Sequence, residues 1–188
     1  FSHLMCLYPL HLIDYDTEEH KKIYEASIKD LEILGTGYWV GFSFVMSAQI
    51  YAMAKNGNAS YERLRQFCRG FVGENGFHLN GDFRHFGYTQ FHYRPFTLEG
   101  NFACAAAIQE MLLQSHTGII KVFPALPTSW KNVSFRNLRA MGAFLVSASY
   151  VNGEVASITV TSEKGGRMRL DNPFTSEITE KVMKPGET

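Results

Sequence analysis

The chain has 188 residues, 45% hydrophobic and 19% charged, with eighteen Lys and Arg balancing eighteen Asp and Glu. That length supports one large domain or two small ones with a real core. The zero net charge and the lack of a basic tract argue against nucleic acid or an anionic membrane as partner. No run approaches the ~18 apolar residues of a membrane span, and no signal peptide is visible. The start, "FSHLMCLYPL", does not begin with Met and has no cap, and reads as cut from a larger polypeptide.

In chain order, "DTEE" places Asp16 and Glu19 close to a capping box. Tyr24, Ile28 and Leu31 follow at helical spacing and Gly35 stops the run. A second helix is expected from about Tyr38 to Lys55, apolar nearly all round and therefore buried. "NGN" at 56–58 breaks it. Asn58 is the expected cap of a third helix, with Tyr61, Leu64, Cys68 and Phe71 on its core face. These helices have short links and no internal repeat, and resemble successive antiparallel hairpins of a larger helical array.

Residues 73–98 have no clean period. They hold four Gly, seven aromatics and three histidines. A segment this long and this aromatic reads as a folded binding loop, the alternative being a hairpin that plugs a core. A fourth helix is expected over Asn101–Ser115, with Ile108, Met111 and Leu112 buried. After Gly118 the period changes. "GIIKVFPALP" reads as a strand ended by prolines. "AFLVSASYVNGEVASITVTS" reads as a hairpin turned at Asn152-Gly153, with Phe144, Val146, Ala148 and Tyr150 alternating on one strand and Ala156, Ile158 and Val160 on the other. "EKGGR" turns into a short strand at Met168–Leu170, and the tail from Asn172 is polar with little pattern. The expected class is α+β, in two units divided near 117, so 1–117 and 118–188.

Glu99, Gly100 and Asn101 stand directly before the fourth apolar run. A carboxylate there is stabilised by the helix's positive end by a few tenths to about 1 kcal/mol. It is then either an ordinary surface group or, held ionised, a general base. Gly100 permits a tight turn, and Asn101 either caps the helix or meets a ligand. His78, His85 and His92 are spaced by seven, but the Gly and aromatic content argues against one helical face. Ligand contacts or structural hydrogen bonds suit them better than metal. Arg84, His85 and Arg94 are candidates for bonding ligand hydroxyls. His3 reads from its apolar context as a core histidine. Cys6, Cys68 and Cys104 lack the paired spacing of a zinc site and read as buried free thiols. No nucleophile elbow, P-loop or dinucleotide fingerprint occurs, and neither a metal nor another cofactor is implied.

"PFTLEGNFACAAAIQEMLLQSHTGIIKVFPALPTSW" resembles the "PFQIDGNFG…AIAEMLLQSH…LLPALP…W" pattern that ends the catalytic domain of glycoside hydrolase family 95, the inverting α-L-fucosidase and α-L-galactosidase family. "SHLMCLYP" at 2–9 is similar to its "SHLYGLYP", which follows an "HRH". "TGYWVGFSFVMSAQIYAMAKNGNASYERL" at 36–64 is similar to its "TGWS…AW" helix. The resemblance covers nearly residues 1–150, in order.

It implies the last helices of an (α/α)6 toroid followed by a small, sandwich-like antiparallel β-domain. Glu99 falls on the family's general-base Asp, Gly100 and Asn101 on its neighbours, and His3 on a histidine beside the sugar pocket. The general acid and the Asn pair that assists the base would lie upstream. The implied partners are an oligosaccharide substrate and the preceding part of the same enzyme. The fragment alone is then expected to be inactive, and the family suggests an extracytoplasmic location. The departures are Glu99 for Asp, Tyr38 for Trp, Phe42 for Trp and Ser43 for Lys, which point to a divergent sugar specificity. The rival expectations are a non-catalytic carbohydrate-binding domain and a purely structural fragment.

Overall fold

The computed structural model describes residues 2–188 and is α+β, helices first and antiparallel strands after. A 3-10 turn at Ser2–Leu4 precedes α1 (Glu18–Leu34), α2 (Gly41–Met53), α3 (Gly57–Phe71) and α4 (Glu99–Leu112). Seven strands follow: β1 (Leu113–Gln114), β2 (Lys121–Val122), β3 (Val133–Ala140), β4 (Phe144–Val151), β5 (Glu154–Ser162), β6 (Gly166–Asn172) and β7 (Glu177–Met183). The chain forms two compact units, Phe1–Met111 and Leu112–Thr188. Residues 112–117, expected in the first unit, belong by contact to the second, because α4 ends at Leu112 and the chain runs straight into β1 where the helix is expected to continue to Ser115.

In the first unit α2 is central. Every residue from Phe44 to Met53 is buried, as an all-round apolar helix requires. Its neighbours are tied to it by polar groups that reach its backbone or side chains. Tyr51 Oη donates to Glu32 Oε1 of α1 (2.9 Å), Ser60 Oγ of α3 donates to Ala48 O (2.8 Å), and Gln49 Nε2 donates to Ala103 O of α4 (3.1 Å). Several expected boundaries move. α1 begins after Thr17, and Asp16 instead pairs with Lys55. α2 begins at Gly41, not Tyr38, because the Gly41 N–H is held by Asn80 O at 3.0 Å. The cap of α3 is Asn56, whose side chain accepts from Ala59 N at 3.1 Å, and not Asn58.

The buried faces also differ in part from the expected ones. On α3 they are Ser60, Leu64, Phe67 and Phe71, with Tyr61 half-buried and Cys68 exposed. On α4 they are the small residues Gly100, Ala103 and Ala107 with Met111, so Ile108 is exposed and Leu112 half-buried. Small side chains let the helix lie close to its neighbours, which turns the buried stripe away from the bulky residues. Cys6 and Cys104 are half-buried, so none of the three thiols is buried as expected.

In the second unit β3, β4 and β5 form one antiparallel sheet and β6 and β7 another, with β1 and β2 paired separately. Phe144, Val146 and Ala148 of β4 alternate inward with Val160 of β5, and Met168, Leu170 and Met183 join the same core. Asn152 and Gly153 make the tight β4–β5 turn with φ of 53° and 90°. Ala156 is exposed, against the expected alternation. A bulge between the Ser149–Ser157 and Tyr150–Val155 pairs shifts the register there. The tail is also more ordered than its sequence suggests. β7 pairs along the full length of β6, and Glu180 bridges Arg167 and Arg169 across the two strands. Among the described residues no helix is long and apolar enough to cross a membrane.

Candidate functional site

The start of α4 is fixed by a single buried side chain. His78 is fully buried, and its ring is wedged between the first residue of α2 and the second of α4. A Cβ on Gly41 would lie 2.8 Å from His78 Cδ2, and one on Gly100 2.8 Å from both Cε1 and Cγ. Both positions therefore admit only glycine while the ring stays in place. Gly100 is needed for this close approach, not for the tight turn that its sequence suggests. His78 Nδ1 meets Thr97 Oγ1 at 2.9 Å, while Nε2 is buried with no hydrogen-bond partner among the described residues. Burial lowers the His78 pKa and so favours the neutral ring, with the nearby Glu99 charge acting in the opposite direction.

Asn101, the third residue of α4, spends both ends of its amide on the preceding segment. Its Oδ1 accepts from His78 N at 2.9 Å and its Nδ2 donates to Gly76 O at 2.8 Å. It neither caps the helix nor points a free amide outward. It ties the 76–78 turn to α4. Glu99, the first residue of α4, remains exposed. "EGN" thus divides three tasks: a solvent-facing carboxylate, a gap for His78, and a clamp.

Segment 73–98 is folded on itself. Its two arms are joined by Leu79–Phe96 bridging and by bonds from Asn80 N to Pro95 O, Gly81 N to Tyr93 O and Asp82 N to Phe91 O, at 2.8–3.1 Å. The arms touch so closely that a Cβ on Gly81 would lie 2.8 Å from Tyr93 N. Buried Asp82 closes the tip by accepting from Phe86 N (3.1 Å) and Tyr88 N (3.0 Å). The tip is anchored to the chain before α2. Thr36 Oγ1 donates to Tyr88 O, and both Thr89 Oγ1 and Gln90 N donate to Gly37 O, all within 2.7–2.9 Å.

The expected ligand-contact residues fall on the outside of this segment. Arg84 and Arg94 are exposed, and both guanidinium groups lie over the Phe83 ring, at 4.7 and 4.9 Å from its centroid. Arg84 also donates to Arg69 O at 2.7 Å. With Glu74, Asn75 and Leu79 the two arginines line an open recess of about 560 Å³ beside the turn that Asn101 holds. His85 is exposed, with its ring centroid 4.2 Å from that of His92, and these two face a second recess of about 600 Å³ with Tyr88 and Gln90. The exposed rings Phe77 and Phe96 pair at 5.2 Å. His3 is exposed in the first turn, not a core histidine, and among the described residues makes no hydrogen bond or ring contact with the other candidates. No group of three or more His, Cys, Asp or Glu among the described residues is arranged to hold a metal ion.

Sequence reasoning missed His78 as the wedge. Its signal was present only as two glycines, Gly41 and Gly100, each at the start of an apolar helix. It also missed Glu110 on α4, whose carboxyl is half-buried and pushed up to about 7 by burial. Glu110 lies within electrostatic reach of Tyr8 and Tyr24, so it belongs to the packing of the N-terminal segment.

Comparison with known proteins agrees with the resemblance in the sequence. Residues 1–112 match the glycosyl hydrolase family 95 catalytic domain, and residues 114–187 match the C-terminal domain of glycoside hydrolase family 95. The chain is also similar to alpha-L-fucosidase 2 of Arabidopsis thaliana, at 30% identity over 165 residues, 87% of this chain. It spans 19% of that relative's length. Matched along both of its units, the chain belongs to glycoside hydrolase family 95.

Proposed function

We propose that this chain is the base-bearing C-terminal part of a glycoside hydrolase that releases an α-linked deoxyhexose, or a related hexose, with inversion. The observation that carries this reading is the exposed Glu99 carboxylate on a helix start that is held rigidly by Gly100, His78 and Asn101. A carboxylate at a helix N-terminus and open to water can take a proton from a neighbouring water molecule, as a general base must. The fucosidase named among its relatives supports the sugar class.

In the proposed reaction Glu99 takes a proton from a water molecule, whose oxygen attacks the anomeric carbon. The glycosidic C–O bond breaks, and the leaving oxygen receives a proton from a carboxylic acid supplied by chain outside these 188 residues. Inverting geometry sets the two carboxyl groups about 6.5–9.5 Å apart to admit the water. Glu99 is one methylene longer than the Asp expected at this place, so the matching acid, or the sugar, sits correspondingly further back. Arg84, Arg94 and His85 contact hydroxyls at the rim of the pocket, and exposed rings such as Phe77 and Phe96 present apolar faces to sugar CH groups. Asn101 acts as a positioning residue, and His3 as a contact from the N-terminal turn.

Proton NMR of the first-formed sugar tests this reading in the full-length protein. Inversion of an α-linked substrate releases the β-anomer first. Initial release of the α-anomer contradicts the mechanism. The longer Glu99 side chain favours a second reading, glycan binding without turnover. Saturable binding with no sugar released would replace the first reading with this one.

A further inference from the structure

Arg84 and Arg94 stand on opposite arms of segment 73–98, and the folding of that segment brings them to one ring. Bonds from Gly81 N to Tyr93 O (3.1 Å) and from Asp82 N to Phe91 O (2.8 Å) set Phe83 and Arg84 across from Arg94. Both guanidinium groups lie over Phe83, 4.7 and 4.9 Å from its centroid. The carbonyl of Arg69, near the end of α3, accepts from Arg84 Nη1 at 2.7 Å, and the Arg69 guanidinium lies over Phe86 at 4.8 Å. Three cations from three places in the sequence are thus gathered on two rings.

Four arginines elsewhere have carboxylate partners. Arg65 pairs with Glu62 at 3.0 Å, Arg139 pairs with Glu163, and Arg167 and Arg169 share Glu180. Among the described residues no carboxylate pairs with Arg84 or Arg94. Two carboxylates occur in this region. Asp82 is buried and spent on Phe86 N and Tyr88 N, and Glu74 lines the recess without pairing with either arginine. Asn75, also on the recess, turns its Oδ1 back to Phe77 N at 3.2 Å, which leaves its amide N–H groups as donors. A ring that holds the flat of a guanidinium leaves its N–H edge free, in the plane that matches two oxygens of a carboxylate or sulfate. The volume of about 560 Å³ is in the range of small-ligand sites.

We propose that this recess selects a glycan bearing an anionic oxygen group, a sulfate ester or a uronate carboxylate, on the sugar placed beside Arg84 and Arg94. The anion accepts from both guanidinium groups and relieves the repulsion of two like charges held around one ring. Glu74 works against the anion and reduces the gain without cancelling two cations. The inference rests on the glycosidase reading for the sugar class and deepens it by naming the substituent.

Calorimetric titration at low salt tests it in the full-length protein, with Glu99→Gln present to suppress turnover. The probes are a sulfated α-L-fucan tetrasaccharide and its desulfated form, and α-1,4-trigalacturonate and its methyl ester. At least one anionic probe should bind about tenfold or more tightly than its neutral form, and high salt should narrow the gap. Arg84→Gln and Arg94→Gln should each cut that preference to about threefold or less. Arg65→Gln, which removes the same charge from α3, should keep it. Preference for the sulfated probe alone assigns a sulfate ester, preference for the galacturonate alone a uronate, and preference for both a site for either anion. Equal binding of each anionic probe and its neutral form, no binding by any of the four, or a preference that survives both replacements together overturns the proposal. Sugar release by the unsubstituted protein is followed separately. Preference without release sinks the glycosidase reading alone, and release without preference sinks this inference alone.

Discussion

On the buried side of the α4 N-terminus, His78 lies between Gly41 and Gly100, its own N–H bonded to Asn101. On the exposed side Arg84, His85 and Arg94 rest on ring faces and meet solvent. The inner region is buried, close-packed and intolerant of one extra carbon. The outer region is open and held mainly by cation–π and ring contacts, which are worth about 0.5–1 kcal/mol at exposed sites. The difference teaches a division of labour. The inner region fixes where Glu99 stands, and the outer one presents cations and rings to solvent.

That contrast is sharpest in the response to a single methyl group. Gly100→Ala places a Cβ against the His78 ring and is expected to cost about 2–3 kcal/mol of stability, in the range of overpacked cores. In the His78→Ala background the same change should cost at least ~1 kcal/mol less, because the clashing partner is gone. Denaturant unfolding of the four proteins checks this, and simple additivity of the two changes would refute the wedge.

Further along α4, Glu110 links the inner packing to pH. Its carboxyl is raised from an ordinary 4.5 to about 7 by burial. Between these values the folded chain holds a proton that the unfolded chain has released. The burial cost is therefore absent below about 4.5 and grows until pH passes 7. Glu110's contribution to folding stability should fall by about 3 kcal/mol across that window, against the opposite slope from buried His78, and Glu110→Gln should remove that contribution. Thermal melts from pH 4 to 8 measure it; equal slopes in both proteins would remove Glu110 from the account.

At the outer region the expected stability effect is smallest. Arg84→Ala and Arg94→Ala should each stay within ~0.5 kcal/mol of the unsubstituted protein, as exposed substitutions do. If the rim binds substrate, KM in the full-length enzyme should rise roughly tenfold with kcat little changed, the signature of lost uniform binding. A stability loss above ~1 kcal/mol with unchanged KM would instead make the arginines structural and erase the contrast.

The legible parts of the fold were those governed by local rules. Gly35 ending α1, the all-round apolar α2 and the Asn152-Gly153 turn all follow from spacing and turn chemistry within a few residues. The illegible parts depend on distant partners. α2 starts late because Asn80 holds Gly41, Ala156 leaves the inner face because of a bulge opposite β4, and β7 forms because β6 offers it paired backbone and arginines for Glu180. The site shows the same split. "EGN" could be read as a motif, and the arms of 73–98 as a folded segment. That Gly100 answers to His78, and Asn101 to Gly76, needs contacts across more than twenty residues, and no period in the sequence carries them.

The central claim is that the inner region exists to hold Glu99 as the base. Glu99→Gln in the full-length protein tests it most directly, because the amide keeps the shape and removes the proton acceptor. Steady-state hydrolysis should show kcat reduced about 10²–10⁴-fold with KM close to that of the unsubstituted enzyme. A kcat within tenfold of the unsubstituted value would contradict the assignment.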